Sequence, residues 1–485
     1  MMGALWLAVG LPLGYLGQSL WLDEGTSIWF ARQPLHVLLT SLCDPHPPGY
    51  YLLLKGWSSL GAGEVWLRLP SLAAAGLAVS LTYRLGQASL DRHSGRLASL
   101  LLATHPLQSW YAAEARMYTW AQAWGLLVFW LGWRVISRSN QPGGPLRAGL
   151  YGLAVLIGLG LDYTILLPLG LLQMAWLARG GPQPRRWLGL QAAALLTGGL
   201  VWLKPEQWWA LQHGYHAVFA AVQANRLGLG LTPVEAAWLL QLGLLGLGLT
   251  SLVGAWFWAR GLSQHASPTV LAGIVVGVWL LLLILAALPR GYTIKRQIVV
   301  VLPYLALLSG YALSRRSKLG GSMIAGLGLI LTLANPAGQA REPWRAAVSD
   351  LAAERDPQAV IWVDELAVPI FEYYWRSPSA GRPATSWTPL WGQALPALPD
   401  LRPAPGQTLW LVTPESAYRR LTVLLPPAFQ REYRLVEARR EVGLGIYRYQ
   451  RRPGSWPDEP AVTEASPVDR WGLLLPSPLA QCGTN

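Results

Sequence analysis

A succession of long apolar runs fills the first two-thirds of this chain and constrains its fold more than any other feature. We read eleven, at about 3–20, 68–87, 96–111, 117–136, 148–161, 163–178, 187–203, 232–258, 268–288, 298–313 and 320–335. Crossing ~30 Å of hydrocarbon takes ~20 apolar residues at ~1.5 Å of rise each. Inside lipid every backbone polar group must be satisfied within the protein, so runs of this kind are helices. The expected architecture is an α-helical polytopic membrane protein with about eleven transmembrane helices. The first run lacks a basic leader and ends in Leu22-Asp23-Glu24, not in a small-residue cleavage site. It therefore reads as a retained helix, not as a cleaved signal.

The stretch 148–178 admits two readings, since Asp162 interrupts it. As one helix it would be ~46 Å long, too long for the bilayer; as two, each is short. Charge decides. With eleven crossings, one set of helix ends carries Arg84, Arg92, Arg96, Arg134, Arg138, Arg147, Arg179, Arg185, Arg186, Arg260, Arg315, Arg316 and Lys318, against the single acid Asp91. The opposite loops up to 335 hold nine basic and eight acidic residues. Merging 148–178 would put the Arg179–Arg186 cluster on the other side and destroy this asymmetry. The positive-inside rule then places the N-terminus in the cytoplasm, and both Asp23 and everything after 335 outside.

The formal net charge of +13 thus has an address. It sits at cytoplasmic helix ends, so the basic balance is a topology signal and does not call for nucleic acid. A composition of 52% hydrophobic and 13% charged residues excludes a disordered chain. Two cysteines, Cys43 and Cys482, exclude a disulfide scaffold and a four-cysteine zinc site.

Residues 336–485 hold 16 basic and 16 acidic residues. Periodicity predicts a helix at 344–354, a strand at 358–363, a helix at 366–376, a strand at 408–413, a helix at 415–424 and a hairpin at 432–450. The expected organisation is a transmembrane domain over 1–335, with an outer first loop at 21–67. A small extracytoplasmic α/β domain follows over 336–452, then a loosely ordered Pro-rich tail over 453–485. There is no internal repeat, P-loop, dinucleotide fingerprint or zinc-protease motif.

The outer loops carry the informative charges. The first loop is too long for a bare link. It opens with Trp21-Leu-Asp23-Glu24, continues through an amphipathic stretch, Ile28–Leu42, and reaches Asp44-Pro-His46-Pro-Pro-Gly-Tyr-Tyr51. A second interfacial helix, 51–60, leads to Arg68-Leu-Pro-Ser71 at the start of the next run. In the amphipathic stretch Ile28, Leu35, Val37, Leu38 and Leu39 are expected on the bilayer surface. Two adjacent carboxylates at a membrane boundary need a wet cavity or a basic partner. They read equally as a general base in an active site and as a solvated helix end. Glu114 and Arg116, in Glu-Ala-Arg-Met-Tyr118, sit between two apolar runs with almost no loop. They read as site residues or as a local ion pair. Pro289-Arg290-Gly-Tyr292-Thr-Ile-Lys295-Arg296 sets basic charge on the outer side against the orientation rule, which suits a lipid phosphate.

Taken in order, Asp-Glu after the first helix, Asp-x-His-Pro-Pro at 44–48, Arg-x-Pro-Ser at 68–71 and Glu-Ala-Arg-x-Tyr at 114–118 resemble membrane glycosyltransferases of the GT-C fold. They are most similar to the protein O-mannosyltransferase family (glycosyltransferase family 39) and its bacterial relatives, including aminoarabinose transferases of lipid A and lipopolysaccharide glycosyltransferases. Arg341-Glu-Pro-Trp-Arg345 also looks like bacterial members of this group. The resemblance covers about 1–335 and is best over 15–125.

This resemblance implies transfer of a sugar from a polyprenyl-phosphate donor to an acceptor hydroxyl, with inversion, on the outer side of the cytoplasmic membrane. The acceptor would be a protein, lipid or glycan. Asp23 matches the family's essential first-loop acid and is expected to be the base. Glu24 would position the acceptor or a basic neighbour. Arg68 and Arg116 are candidate partners for these acids or for phosphate. Lys295 and Arg296 are candidates for the donor phosphate, and Tyr292 and Tyr118 for hydrogen bonds to sugar or phosphate. Whether a divalent metal takes part is open; Asp44 and His46, or the pair His213/His216, are candidate ligands for one. Two other readings remain. One is a multi-pass transporter or flippase of lipid-linked sugars, which would keep its polar groups near the bilayer midplane. The other is a glycan polymerase or ligase of the same fold.

Overall fold

The structure is a computed structural model of the 485-residue chain. It describes residues 1–42, 44, 46–137, 142–178, 183–204, 294–316, 323, 326–330, 332–333, 341–353, 359–364, 366–376, 387–390, 408–414, 429, 433–441 and 443–452. The expected runs 232–258 and 268–288, the helix 415–424, the tail 453–485, Tyr292, His213 and His216 lie outside the described residues. The contacts divide the chain into two compact units. One comprises Met1–Gly17, His46–Leu203 and Leu229–Gln339; the other comprises Gln18–Pro45, Lys204–Gly228 and Ala340–Asn485. Segment 18–45, which includes the start of the first loop, therefore groups by contact with the C-terminal residues.

The first unit is helical where described. It contains α1 (Met2–Leu16), α4 (Gly49–Ser58), α5 (Glu64–Ser89), α6 (Arg92–Ala103), α7 (Pro106–Ala112), α8 (Tyr118–Ser137), α9 (Gly144–Leu161), α10 (Leu166–Ala178), α11 (Pro184–Trp202) and α12 (Ile294–Arg316). Among the described residues, α5 and α9 are long and apolar enough to cross a membrane, and Met2–Leu16, Tyr163–Leu177 and Val299–Tyr311 are shorter apolar helices. The run 96–111 is two helices, because the Thr104-His105-Pro106 step starts a new one. The His105 ring nitrogen accepts the Leu107 N–H and Pro106 opens the first turn. Asp162 divides 148–178 into two helices. It ends α9, and its carboxylate caps the short 3-10 turn Tyr163–Ile165 by accepting the Thr164 N–H at 2.7 Å.

Close helix packing in this unit uses small residues, which let two backbones approach. At Gly310 of α12, a Cβ would stand 2.8 Å from the Ala98 nitrogen and the Ser94 oxygen of α6. α4 is fastened to α5 by two indoles. Trp57 and Trp66 stack with centroids 4.5 Å apart, and each N–H donates to the other's carbonyl, at 2.8 and 3.3 Å.

The second unit joins α2 (Leu22–Arg32) and α3 (Leu35–Thr40) to α13 (Trp344–Ala352), α14 (Val368–Trp375) and a five-stranded sheet of order β2-β1-β3-β5-β4. The strands are β1 (Val360–Asp364), β2 (Trp387–Leu390), β3 (Thr408–Pro414), β4 (Tyr433–Glu441) and β5 (Leu444–Arg451). β1 runs parallel to β2 and β3, whereas β5 runs antiparallel to β3 and pairs with β4. The central strands are buried along nearly their whole length, which is why Val-Ile-Trp-Val and Leu-Trp-Leu-Val read as continuous apolar runs. Edge strand β4 is exposed and carries Arg434, Glu437, Arg439, Arg440 and Glu441, charges that blunt a free edge.

The amphipathic stretch Ile28–Leu42 is broken at Gln33-Pro34 into α2 and α3, since proline cannot continue a helix. Its apolar residues do not share one bilayer-facing surface. Ile28 and Leu38 are buried inside this unit, whereas Leu35 and Leu39 are exposed. α2 meets α14 at Gly25, where a Cβ would stand 2.6 Å from the Ile370 Cβ.

Candidate active site

The two acids after α1 lie in the first turn of α2. Carboxylates suit this position, because the first-turn N–H groups are unpaired within the helix and carry partial positive charge. Glu24 is fully buried. Its Oε2 accepts the Trp21 backbone N–H at 3.2 Å, the reach-back of a capping box. The same oxygen accepts the Arg341 Nη1 at 2.8 Å, in an ion pair buried on both sides. Asp23 is half-buried, with its Oδ2 withdrawn from solvent.

The next residue after Arg341 completes the cluster. Glu342 Oε2 accepts the Leu22 backbone N–H at 3.1 Å, and also the indole N–H of Trp344. The tight turn between β4 and β5 closes over it. Gly443 takes a left-handed φ of +73°, and a Cβ there would collide with the Glu342 carboxylate. Burial pushes the Glu342 carboxyl up to about 7; the charges of Asp23 and Glu24 push the same way, and the Trp344 and Leu22 hydrogen bonds oppose them. Tyr374 of α14 adds a further tie, its hydroxyl accepting the Leu20 N–H at 2.7 Å and sharing a hydrogen bond with Ser19 Oγ at 3.2 Å. The turn bearing Asp23 and Glu24 is thus held from three sides by residues more than 300 positions away.

In the first unit the segment 113–117 between α7 and α8 is buried throughout, an unusual state for a loop. Glu114 and Arg116 are both buried within the unit. Arg116 Nη2 donates to the Tyr118 hydroxyl at 3.4 Å, and its guanidinium lies over the Tyr118 ring at 5.6 Å. Ser71 Oγ donates to the Arg116 carbonyl, and Thr119 Oγ1 donates to the Ser71 carbonyl, at 3.1 and 3.0 Å. These bonds stitch the Arg-x-Pro-Ser segment of α5 to the Glu-x-Arg segment. Arg68, read from sequence as opening its helix, lies one turn inside α5, which begins at Glu64. It is fully buried and donates Nη1 to the Leu16 carbonyl at 2.7 Å, a cation at the C-terminal end of α1.

Lys295 and Arg296 lie in the first turn of α12. Asp44 is buried in the second unit and His46 half-buried in the first. Among the described residues no three His, Cys, Asp or Glu side chains gather into a group that would hold a metal ion. The sequence reading did not include Arg341 and Glu342 among the site residues. Their signal was present in Arg-Glu-Pro-Trp-Arg at the opening of the C-terminal domain, but nothing local says that it faces residues 22–24.

By sequence, the chain matches no protein-family model and no curated protein. By structure it is similar to ArnT from Cupriavidus metallidurans. The apo form matches with a TM-score of 0.58 at 14% identity, covering 92% of this chain and 97% of that one. The form bound to undecaprenyl phosphate matches with a TM-score of 0.56 at 14% identity over the same shares. The chain therefore shares the GT-C fold with ArnT.

Proposed function

We propose that this GT-C chain is an inverting glycosyltransferase that moves a sugar from a polyprenyl-phosphate donor to an acceptor hydroxyl at the outer face of the cytoplasmic membrane. One observation carries the reading: over 92% of its length the chain shares its fold with a protein solved with undecaprenyl phosphate bound. The concentration of buried ionisable groups around the first turn of α2 and around Arg116 supports it, since such groups are expensive to bury and mark functional sites.

The chemistry asks for few parts. The acceptor oxygen attacks the anomeric carbon, the bond from that carbon to the phosphate oxygen breaks, and its electron pair leaves on the phosphate. The acceptor proton passes to a carboxylate, and we assign that base to Asp23. Glu24 is bonded to Trp21 N–H and Arg341, which suits it to fixing the turn. The leaving phosphate gains negative charge, which fixed cations stabilise. Arg116, with the Tyr118 hydroxyl beside it, and Lys295 and Arg296 are our assignments for that role, and Tyr292, close in sequence to the last two, is a further candidate. Arg68 secures the end of α1, close in sequence to the acids.

Reconstitution with radiolabelled polyprenyl-phosphate sugars and a panel of hydroxyl acceptors tests the reading. Transfer by the parent and its loss in a folded Asp23→Asn protein are expected. Full transfer by Asp23→Asn would remove Asp23 as the base, and movement of intact donor across the vesicle membrane without transfer would favour a flippase.

A further inference from the structure

At the arginine-rich ends of α8, α9 and α11, among residues given no role above, a cavity of about 290 Å³ opens between the helices. It is lined by Arg147, Arg186 and Gln183 on its polar side and by Ile136, Trp187 and Leu190 on its apolar side, and among the described residues no acidic side chain lines it. We infer that this cavity binds the phosphate headgroup of an anionic phospholipid, with the lipid's chains lying along α9 and α11.

The wall is preformed. Trp187 is buried, stacks on Tyr151 and Trp176 at 5.6 and 6.4 Å, and donates its indole N–H to Gln173 Oε1 at 2.9 Å. Gln191 in turn donates to the Tyr151 hydroxyl at 2.7 Å. Arg147 is anchored by an exposed 2.7 Å bond from Nη1 to the Pro142 carbonyl, which holds its guanidinium at the cavity. Two arginines, with no acidic residue among the described lining residues, favour an anion, and guanidinium groups bind phosphate oxygens with directed N–H donors. Basic pockets between membrane helices bind phosphorylated headgroups for this reason.

The surroundings decide between a lipid and a free anion. Leu146, Leu150 and Leu153 recur at helical spacing along α9, 69%, 46% and 53% exposed, and Leu188 and Leu196 of α11 are likewise exposed. In water such a stripe would be an unfavourable patch; beside a basic cavity it is a bed for acyl chains.

The test uses the purified full-length chain in detergent micelles doped with phosphatidylglycerol or phosphatidylcholine, with inorganic phosphate as a third arm. Retained lipid is read by native mass spectrometry and the thermal midpoint in parallel. At least tenfold preferential retention of phosphatidylglycerol is expected, falling to the phosphatidylcholine level in R147Q/R186Q and unchanged in R185Q, whose exposed arginine does not line the cavity. Should the double variant fail to fold, R186Q alone, at an exposed position, is expected to lower retention severalfold. Equal retention of the two lipids, or unchanged retention in R186Q, would overturn the inference. A midpoint shift by inorganic phosphate equal to that of phosphatidylglycerol would assign the cavity to a free anion instead.

Discussion

Arg341 holds Glu24 across 317 residues of sequence, its Nη1 2.8 Å from Glu24 Oε2 with both side chains out of solvent. A buried pair of this kind is costly to break, because the surviving charge keeps its desolvation penalty and loses its compensation. Arg341→Ala is therefore expected to destabilise the second unit by about 3–5 kcal/mol. The double variant Arg341→Met/Glu24→Leu, which leaves no orphaned charge, is expected to recover most of that loss. Thermal midpoints and limited proteolysis of the two variants check the difference. Equal loss in both would mean that the pair is not an isolated electrostatic unit.

Asp23 shares that turn but carries a different expectation. Asp23→Asn preserves volume and removes one first-turn carboxylate, worth about 0.3–1 kcal/mol to the helix. Transfer, in contrast, is expected to fall roughly 10²–10⁴-fold, the range for loss of a positioned general base. Single-turnover transfer measured beside the thermal midpoint separates the two effects.

Glu342 gives a pH signature. Its carboxyl titrates at about 7 when folded, against an ordinary value of 4.5. The folded state therefore binds more protons than the unfolded one between these values, and stability falls as pH rises through that window. The difference corresponds to roughly 3 kcal/mol across the window, fully present below pH 4.5 and lost above about 7. Glu342→Gln is expected to flatten the dependence of the thermal midpoint between pH 5 and 7.5. An unchanged slope in that variant would show that another group titrates there.

Gly310 tests the helical unit. A side chain there would press on the Ser94 carbonyl and Ala98 backbone of α6, neither of which is a flexible tip that yields. Gly310→Val is expected to separate α6 from α12 and to destabilise by about 1–3 kcal/mol or more. Cysteine crosslinking between the two helices, tight in the parent and weakened in the variant, reads it directly.

Much of the fold was legible because it depends on local patterns. The runs at 3–20, 117–136 and 298–313 appear as α1, α8 and α12, and the α/β pattern of 344–450 appears as α13, β1, α14, β3 and the β4–β5 hairpin. Strand β2 was missed, since Trp387-Thr-Pro-Leu is four residues long and contains a proline. The candidate site was legible as residue types: Asp23, Glu24, Glu114 and Arg116 stand out as charges where apolar sequence surrounds them. Their burial was not. Sequence left Glu114 and Arg116 open between site residues and a local ion pair, and only the fold shows the bonds from Ser71 and to Tyr118 that hold the segment inside.

The sequence by itself determined the helical class, the break at Asp162, the small α/β domain and the arginine asymmetry of the helix ends. These follow from hydropathy, periodicity and charge within windows of a few dozen residues. Only the tertiary structure decided that Glu24 pairs with Arg341, that Glu342 takes the Leu22 N–H, and that α2 packs on α14 at Gly25 and Ile370. Local sequence offered Arg68 and Arg116 as cations for the first-loop acids with equal right. Choosing among distant charges depends on which of them the packed chain desolvates together, and that is a property of the whole fold.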